Sequence, residues 1–306
     1  MTQRLRARSG RWLALLACGG VLLGAGPARA AGVAVLRSSD LPVYTRTVEA
    51  FRRAYRDPVT EVTLAIACSG VRLASVGSSN PEIVVAVGLR AATLVRDRMP
   101  RVPMVYCMVP APERHDLVGS RITGVSADIP PALELSLLHE TAPDVKRVGV
   151  IVGRSSDAWL RLAQAAATRV GVALEVARVE SIDQLGPRVR ALIGHVDALW
   201  MPADADVATP EAFRFAMAEA LDHRLPFFTF APALVRAGAY AAAAPDLDWV
   251  AGRIVEAVRR VQSGERAGDV PSTEVKRVKL VANLSTARAL GRELPASVLR
   301  DAELVR

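Results

Sequence analysis

Cysteine, lysine, histidine and aromatic residues are all scarce in this 306-residue chain. There are three cysteines, at 18, 68 and 107, and none lies in a C-x-x-C spacing. A disulfide scaffold and a cysteine zinc site are therefore excluded. Four histidines (115, 139, 195 and 223) show no H-x-x-x-H pair, so no metal site is expected. Lysine occurs only at 146, 276 and 279, and aromatics make up 5%. No P-loop, G-x-G-x-x-G, G-x-S-x-G or H-E-x-x-H run is present. Nucleotide cofactors, the common hydrolase elbow and zinc proteolysis thus lose their usual markers, and neither cofactor nor enzymatic activity is expected.

Long apolar runs are also lacking, with one exception. Residues 12–26 are almost wholly apolar or small. Arg4, Arg6, Arg8 and Arg11 precede them, and Pro27-Ala28-Arg29-Ala30 follows. That order reads as a secretory signal occupying residues 1–30, cleaved after Ala30. The run is about fifteen residues, short of the roughly twenty that span a bilayer. The expected location is periplasmic. A lipobox-like Leu15-Leu16-Ala17-Cys18 leaves a lipid anchor on Cys18 as the alternative.

The signal also explains the charge. The whole chain has 39 Lys+Arg against 31 Asp+Glu, but five arginines and no acids fall in residues 1–30. The remainder carries 34 basic and 31 acidic residues, a net of +3. Nucleic acid is accordingly not an expected partner. Cys68 and Cys107 are read as buried free thiols rather than a pair.

What is present is an alternation of apolar strands and amphipathic helices. Strands are expected at residues 33–36, 62–67, 83–87, 102–108 and 122–126, with helices at 41–55 and 89–98. The strands are continuous apolar runs, as in parallel sheets covered on both faces. The pattern restarts at Pro130-Pro131. Strands follow at 148–152, 174–179, 198–201 and 227–230, and helices at 131–141, 156–170, 182–193 and 210–223. A strand at 238–244, a long helix at 246–263 and a strand at 278–283 come next, and two short helices follow, the second starting near Pro295. The fold class is α/β, with two doubly wound units.

Several stretches, taken in order, resemble one family. They are Val102-Pro103-Met104-Val105-Tyr106-Cys107-Met108-Val109, Ile122-Thr123-Gly124-Val125-Ser126, Lys146-Arg147-Val148-Gly149-Val150, Gly238-Ala239-Tyr240 and Asn283-Leu284-Ser285-Thr286-Ala287-Arg288. The series is similar to the ABC-transporter substrate-binding proteins of the tryptophan/tyrosine type. The resemblance implies a type I periplasmic binding fold: two Rossmann-like lobes joined by three crossings near residues 126–130, 231–238 and 270–278. The N-terminal lobe would comprise 31–126 plus 238–268, and the C-terminal lobe 127–237 plus 275–306. It implies a small-molecule ligand in the cleft, an amino acid or related carboxylate among the classes considered, and a membrane permease of an ABC importer as partner of a monomer. A ligand sensor reporting to a membrane partner is the alternative. Two positions depart from the family pattern. The turn after the fourth strand is apolar (Met108 to Pro112), and Ala231 replaces a frequent serine.

Ligands of such sheets meet the carboxyl ends of the strands. Those loops supply the expected ligand-binding residues. In the first unit these are Ser38, Ser39, Tyr44, Ser69, Gly88, Arg90 and Met108. In the second they are Arg154, Ser155, Ser156, Trp159, Asp204 and Phe230. Arg90 and Asp204 form the charged pair suited to a zwitterion. Each position has a plainer reading as well. Ser39 or Asp40 caps a helix, Ser156 is an N-cap, Trp159 and Phe230 belong to cores, and Asp246 caps the long helix.

Overall fold

A computed structural model describes residues 31–64 and 81–306. The expected signal, Cys18, Cys68 and Ser69 lie outside the described residues. Two sheets organise the chain. The first contains β1 (Ala31–Arg37), β2 (Val59–Thr63), β3 (Pro81–Val87), β4 (Met104–Val109) and β5 (Ile122–Ser126), in the order β2-β1-β3-β4-β5, all parallel. Helices α1 (Pro42–Tyr55) and α2 (Leu89–Arg98) connect them. Every residue of β4 is buried, as its unbroken apolar run requires. Pro42 opens α1 at a position where a missing N–H costs nothing. Val48, Phe51 and Tyr55 then form its buried stripe.

The second sheet holds β6 (Arg147–Gly153), β7 (Ala173–Val179), β8 (Ala198–Trp200), β9 (Phe227–Thr229), β10 (Ala241–Pro245), β11 (Val278–Asn283) and β12 (Glu303–Val305). Its order is β12-β11-β10-β9-β8-β6-β7, with β10 and β11 antiparallel. Around it lie α3 (Pro131–Thr141), α4 (Asp157–Val170), α5 (Ile182–Leu192), α6 (Pro210–Asp222) and α7 (Pro232–Arg236). Then come α8 (Leu247–Gln262), α9 (Leu284–Ala289) and α10 (Ala296–Asp301). The short α7 and β12 have no counterpart in the sequence reading. Runs of five and three residues are too brief for periodicity to register.

One expectation is corrected here. The strand placed at 238–244 in the N-terminal lobe belongs to the second sheet. Ala241 and Ala242 pair with Phe228 and Thr229, and Ala241 to Pro245 pair with Ala282 to Val278. The middle crossing therefore falls at residues 245–247 rather than 231–238. The pairing decides this, since the alanine run of β10 does not itself specify a sheet. Four buried alanines leave room for α3 and α7 to pack closely upon it. The following α8 packs on α1 of the first unit. Val250, Ile254 and Val258 share a core with Val48, Phe51 and Tyr55. Each such side chain contributes roughly 1.5–3 kcal/mol on burial. Arg259 lies over the Tyr55 ring at 4.5 Å, and Gln262 Nε2 donates to Tyr55 Oη at 2.9 Å.

The crossings lie side by side. Ser126 N–H donates to the Thr273 carbonyl at 2.9 Å, and Thr273 N–H to Gly124 at 3.0 Å. Val275 N–H donates to Asp128 at 3.3 Å, and Asp246 N–H to Arg277 at 2.9 Å. Asp246 also caps α8 by accepting from the N–H groups of Asp248 and Trp249 at 3.1 and 3.3 Å. A narrow hydrogen-bonded ribbon thus joins two separate cores. Cys107 is buried and free, and burial pushes its thiol well above the ordinary range.

Candidate functional site

The carboxyl ends of both sheets face the crossings. In the first unit, Ser38 follows β1 and is buried. Its Oγ accepts the Ala91 N–H at 2.9 Å, capping α2 from a neighbouring strand. Gly88 supplies the backbone bend, with φ of 86°. A Cβ there would stand 2.7 Å from both Ser38 Oγ and Tyr44 Cζ. These three expected residues are therefore brought together. Burial, with Cys107 beside it, pushes the Tyr44 phenol up from its ordinary value. Ser39 makes a local turn, its Oγ accepting the Leu41 N–H at 3.5 Å. Arg90 is exposed in the first turn of α2.

Met108 sits where the β4–β5 register slips between Cys107 and Val109. Its φ is 54°, a left-handed conformation that costs an unbranched residue of this size about 1–3 kcal/mol. Ala111, at φ 42°, follows in the same loop. The loop is tied down by the Asp128 carboxylate, which accepts the Ala111 N–H at 2.8 Å and the Ser126 hydroxyl at 3.0 Å. Strain held by a hinge carboxylate fits a ligand-facing loop better than a plain connection. Met108 itself packs into the first core rather than standing free as a wall.

In the second unit, Asp204 fastens two loops. Its Oδ2 accepts the Gly153 N–H at 2.8 Å and the Ser156 hydroxyl, and its Oδ1 accepts the Asp206 N–H at 2.9 Å. The Ser155 N–H donates to Asp206 at 3.3 Å. Ser156 occupies the N-cap position of α4, as read from the sequence; its side chain makes no cap bond and its hydroxyl donates to Asp204. Arg154 is exposed, and its carbonyl accepts from Arg178 at 2.9 Å. Trp159 lies 4.9 Å from Trp200, tilted by 52°, so it is built into the edge of the second core. Phe230, half-buried, follows β9 directly.

A hydrogen bond joins the two faces. Arg114, in the short helix Pro112–His115 of the first unit, donates to the Ser155 carbonyl at 3.2 Å. The sequence offered no sign of this arginine, since a surface arginine in a turn is unremarkable until the opposing loop is seen. Glu134 was also missed. It lies one turn into α3, in register with buried Leu138 and Thr141. An acid on an apolar stripe is the signal that marks it.

A sequence model of the family described as ABC transporter substrate binding protein matches residues 71–306. The chain belongs to that family. It is 20% identical over 222 residues to a tyrosine-binding protein of Clostridioides difficile, covering 70% of this chain and 64% of that one. The chain thus spans less than two thirds of that relative's length. Among solved structures, one match is the ligand-free, open form of a substrate binding protein with adhesive properties from Clostridium difficile. Its TM-score is 0.73 at 18% identity, covering 90% of this chain and 99% of that one. Another is an ABC domain in complex with L-Trp from Streptococcus pneumonia. Its TM-score is 0.64 at 22% identity, covering 90% and 99%. At these identities the structures establish the fold: two lobes of mainly parallel sheet, of the type I periplasmic-binding kind.

Among the described residues, no helix is long and apolar enough to cross a membrane, and no group of three His, Cys, Asp or Glu could hold a metal.

Proposed function

We propose that the chain captures a small molecule of amino-acid type between its two lobes and presents it to the permease of an ABC importer. The observation that carries this reading is the facing pair of strand-end clusters. Ser38, Tyr44 and Gly88 form one, the Asp204-fastened loop 153–156 the other, and three adjacent crossings link them. The family match supports it, as do relatives described as tyrosine-binding and as an L-Trp complex.

Arg90 is the proposed partner of the ligand carboxylate, with Ser39, Arg154 and Ser155 along the rim. Phe230, with Trp159 at the edge of the second core, forms the apolar side. Export through the signal at residues 1–30, a periplasmic location and a monomeric state complete the proposal.

Calorimetry of residues 31–306 with tyrosine, tryptophan, other amino acids, nucleosides and sugars tests it. Saturable binding of an amino acid is expected. Binding of only a sugar or nucleoside would replace the ligand class. Small-angle scattering should show compaction on binding, since ligand favours the closed form by its differential affinity.

A further inference from the structure

Asp204, the carboxylate the sequence offers for an ammonium group, already accepts three hydrogen bonds, from Gly153, Ser156 and Asp206. A second carboxyl has no such partners. Glu134 is 8% exposed and finds no hydrogen-bond partner among the described residues. It borders a small cavity beneath α3, at the crossing-facing end of the second sheet. Trp200, Phe228, Thr229, Ala243 and Leu280 line the other side. Thr229 is 2% exposed, and its Oγ1 is buried without a partner. Two polar groups thus share one cavity, the Thr229 hydroxyl buried without a partner and the Glu134 carboxyl without a partner among the described residues. Buried polar groups are normally paired, so an unpaired couple calls for a missing third party.

We propose that Glu134 and Thr229 form a subsite for the primary ammonium group of the ligand. The inference deepens the reading above, and rests on it for the role of the cleft. The chemistry selects a cation. Asp128, in the first crossing, already repels the ionised Glu134. The strands opposite present no titratable side chain: Trp200, Phe228, Thr229 and Ala243 are the groups they offer. An ammonium would accept the negative field of both acids, donate to Glu134 and Thr229 Oγ1, and lie near the faces of Trp200 and Phe228. The cavity admits a group the size of a water molecule, which suits –NH3+ and excludes a quaternary ammonium or a guanidinium. Glu134 stands protonated when the site is empty, its carboxyl pushed up to about 8 by burial first and by Asp128 second. An arriving ammonium would ionise it.

The test follows the Glu134 carboxyl carbon by NMR during pH titration of residues 31–306, assigned by its loss in Glu134→Gln. Two salts are compared at equal ionic strength, methylammonium chloride and tetramethylammonium chloride. Methylammonium is expected to lower the Glu134 midpoint by about one unit or more. Tetramethylammonium should leave it in place, and Thr229→Val should reduce the methylammonium effect. Equal midpoints in the two salts would overturn the proposal. Neither salt is an amino acid, so failure of tyrosine and tryptophan to bind would count against the ligand class alone.

Discussion

Asp204 accepts the Gly153 N–H at 2.8 Å and also takes the hydroxyl of Ser156, locking the loop after β6 to the loop after β8. Asp204→Ala strips an acceptor from three donors. It should therefore lower the melting temperature of the ligand-free protein, where an unengaged ligand carboxylate would leave it unchanged. A lost bond to a charged group costs about 1.5–3 kcal/mol, several degrees for a protein of this size. Scanning calorimetry of Asp204→Ala checks this. Arg90→Ala should weaken the binding of an anionic ligand.

Gly153 is held as glycine by the same lock. A Cβ there would stand 2.3 Å from Asp206 Cβ, and Gly88 is hemmed in by Ser38 and Tyr44. Gly153→Ala and Gly88→Ala should each destabilise by about 1–3 kcal/mol, read as a drop in urea midpoint with an unchanged slope. Gly171, at the end of α4 with open space around it, is the control. Alanine there should cost no more than the strain of its left-handed φ.

The contact from Arg114 to the Ser155 carbonyl is a direct bond between the two faces. Arg114→Ala should shift the ligand-free protein toward a more open form, seen as a larger radius of gyration in solution scattering. An unchanged radius would show that this bond does not bias the lobes.

Glu134 makes stability depend on pH. Its carboxyl is raised from 4.5 to about 8 in the folded state, so the folded chain binds the extra proton across that window. Stability from this group is fully present below about 4.5. It falls as pH rises toward 8, then levels off. Glu134→Gln should flatten this slope and be the more stable protein at pH 8. Urea unfolding at pH 5, 7 and 8.5 decides it, and parallel curves for the two proteins would falsify the burial argument.

Much of this was legible in residue order alone. The spans of α2 and β5 follow from apolar runs bounded by Gly88 and by Ser126, and the cap at Asp246 from an acid before a periodic stripe. Such features are local: a period, a cap or a covered strand needs only its own residues. What the neighbours decide was not legible. The alanine run of β10 reads the same in either lobe, and only its pairing with β9 and β11 places it. Ser156 is an N-cap by position, but the pairing of its hydroxyl with Asp204, forty-eight positions away, has no local signal. Glu134 reads as an ordinary helix acid until Trp200, Phe228 and Thr229 enclose it. The sequence by itself determined the two parallel units and their strand-end loops, because burial patterns are written along the chain. Tertiary structure alone decided which polar groups are spent on holding the loops and which remain unsatisfied, because a hydrogen bond or a desolvated carboxyl depends on atoms that only folding brings near.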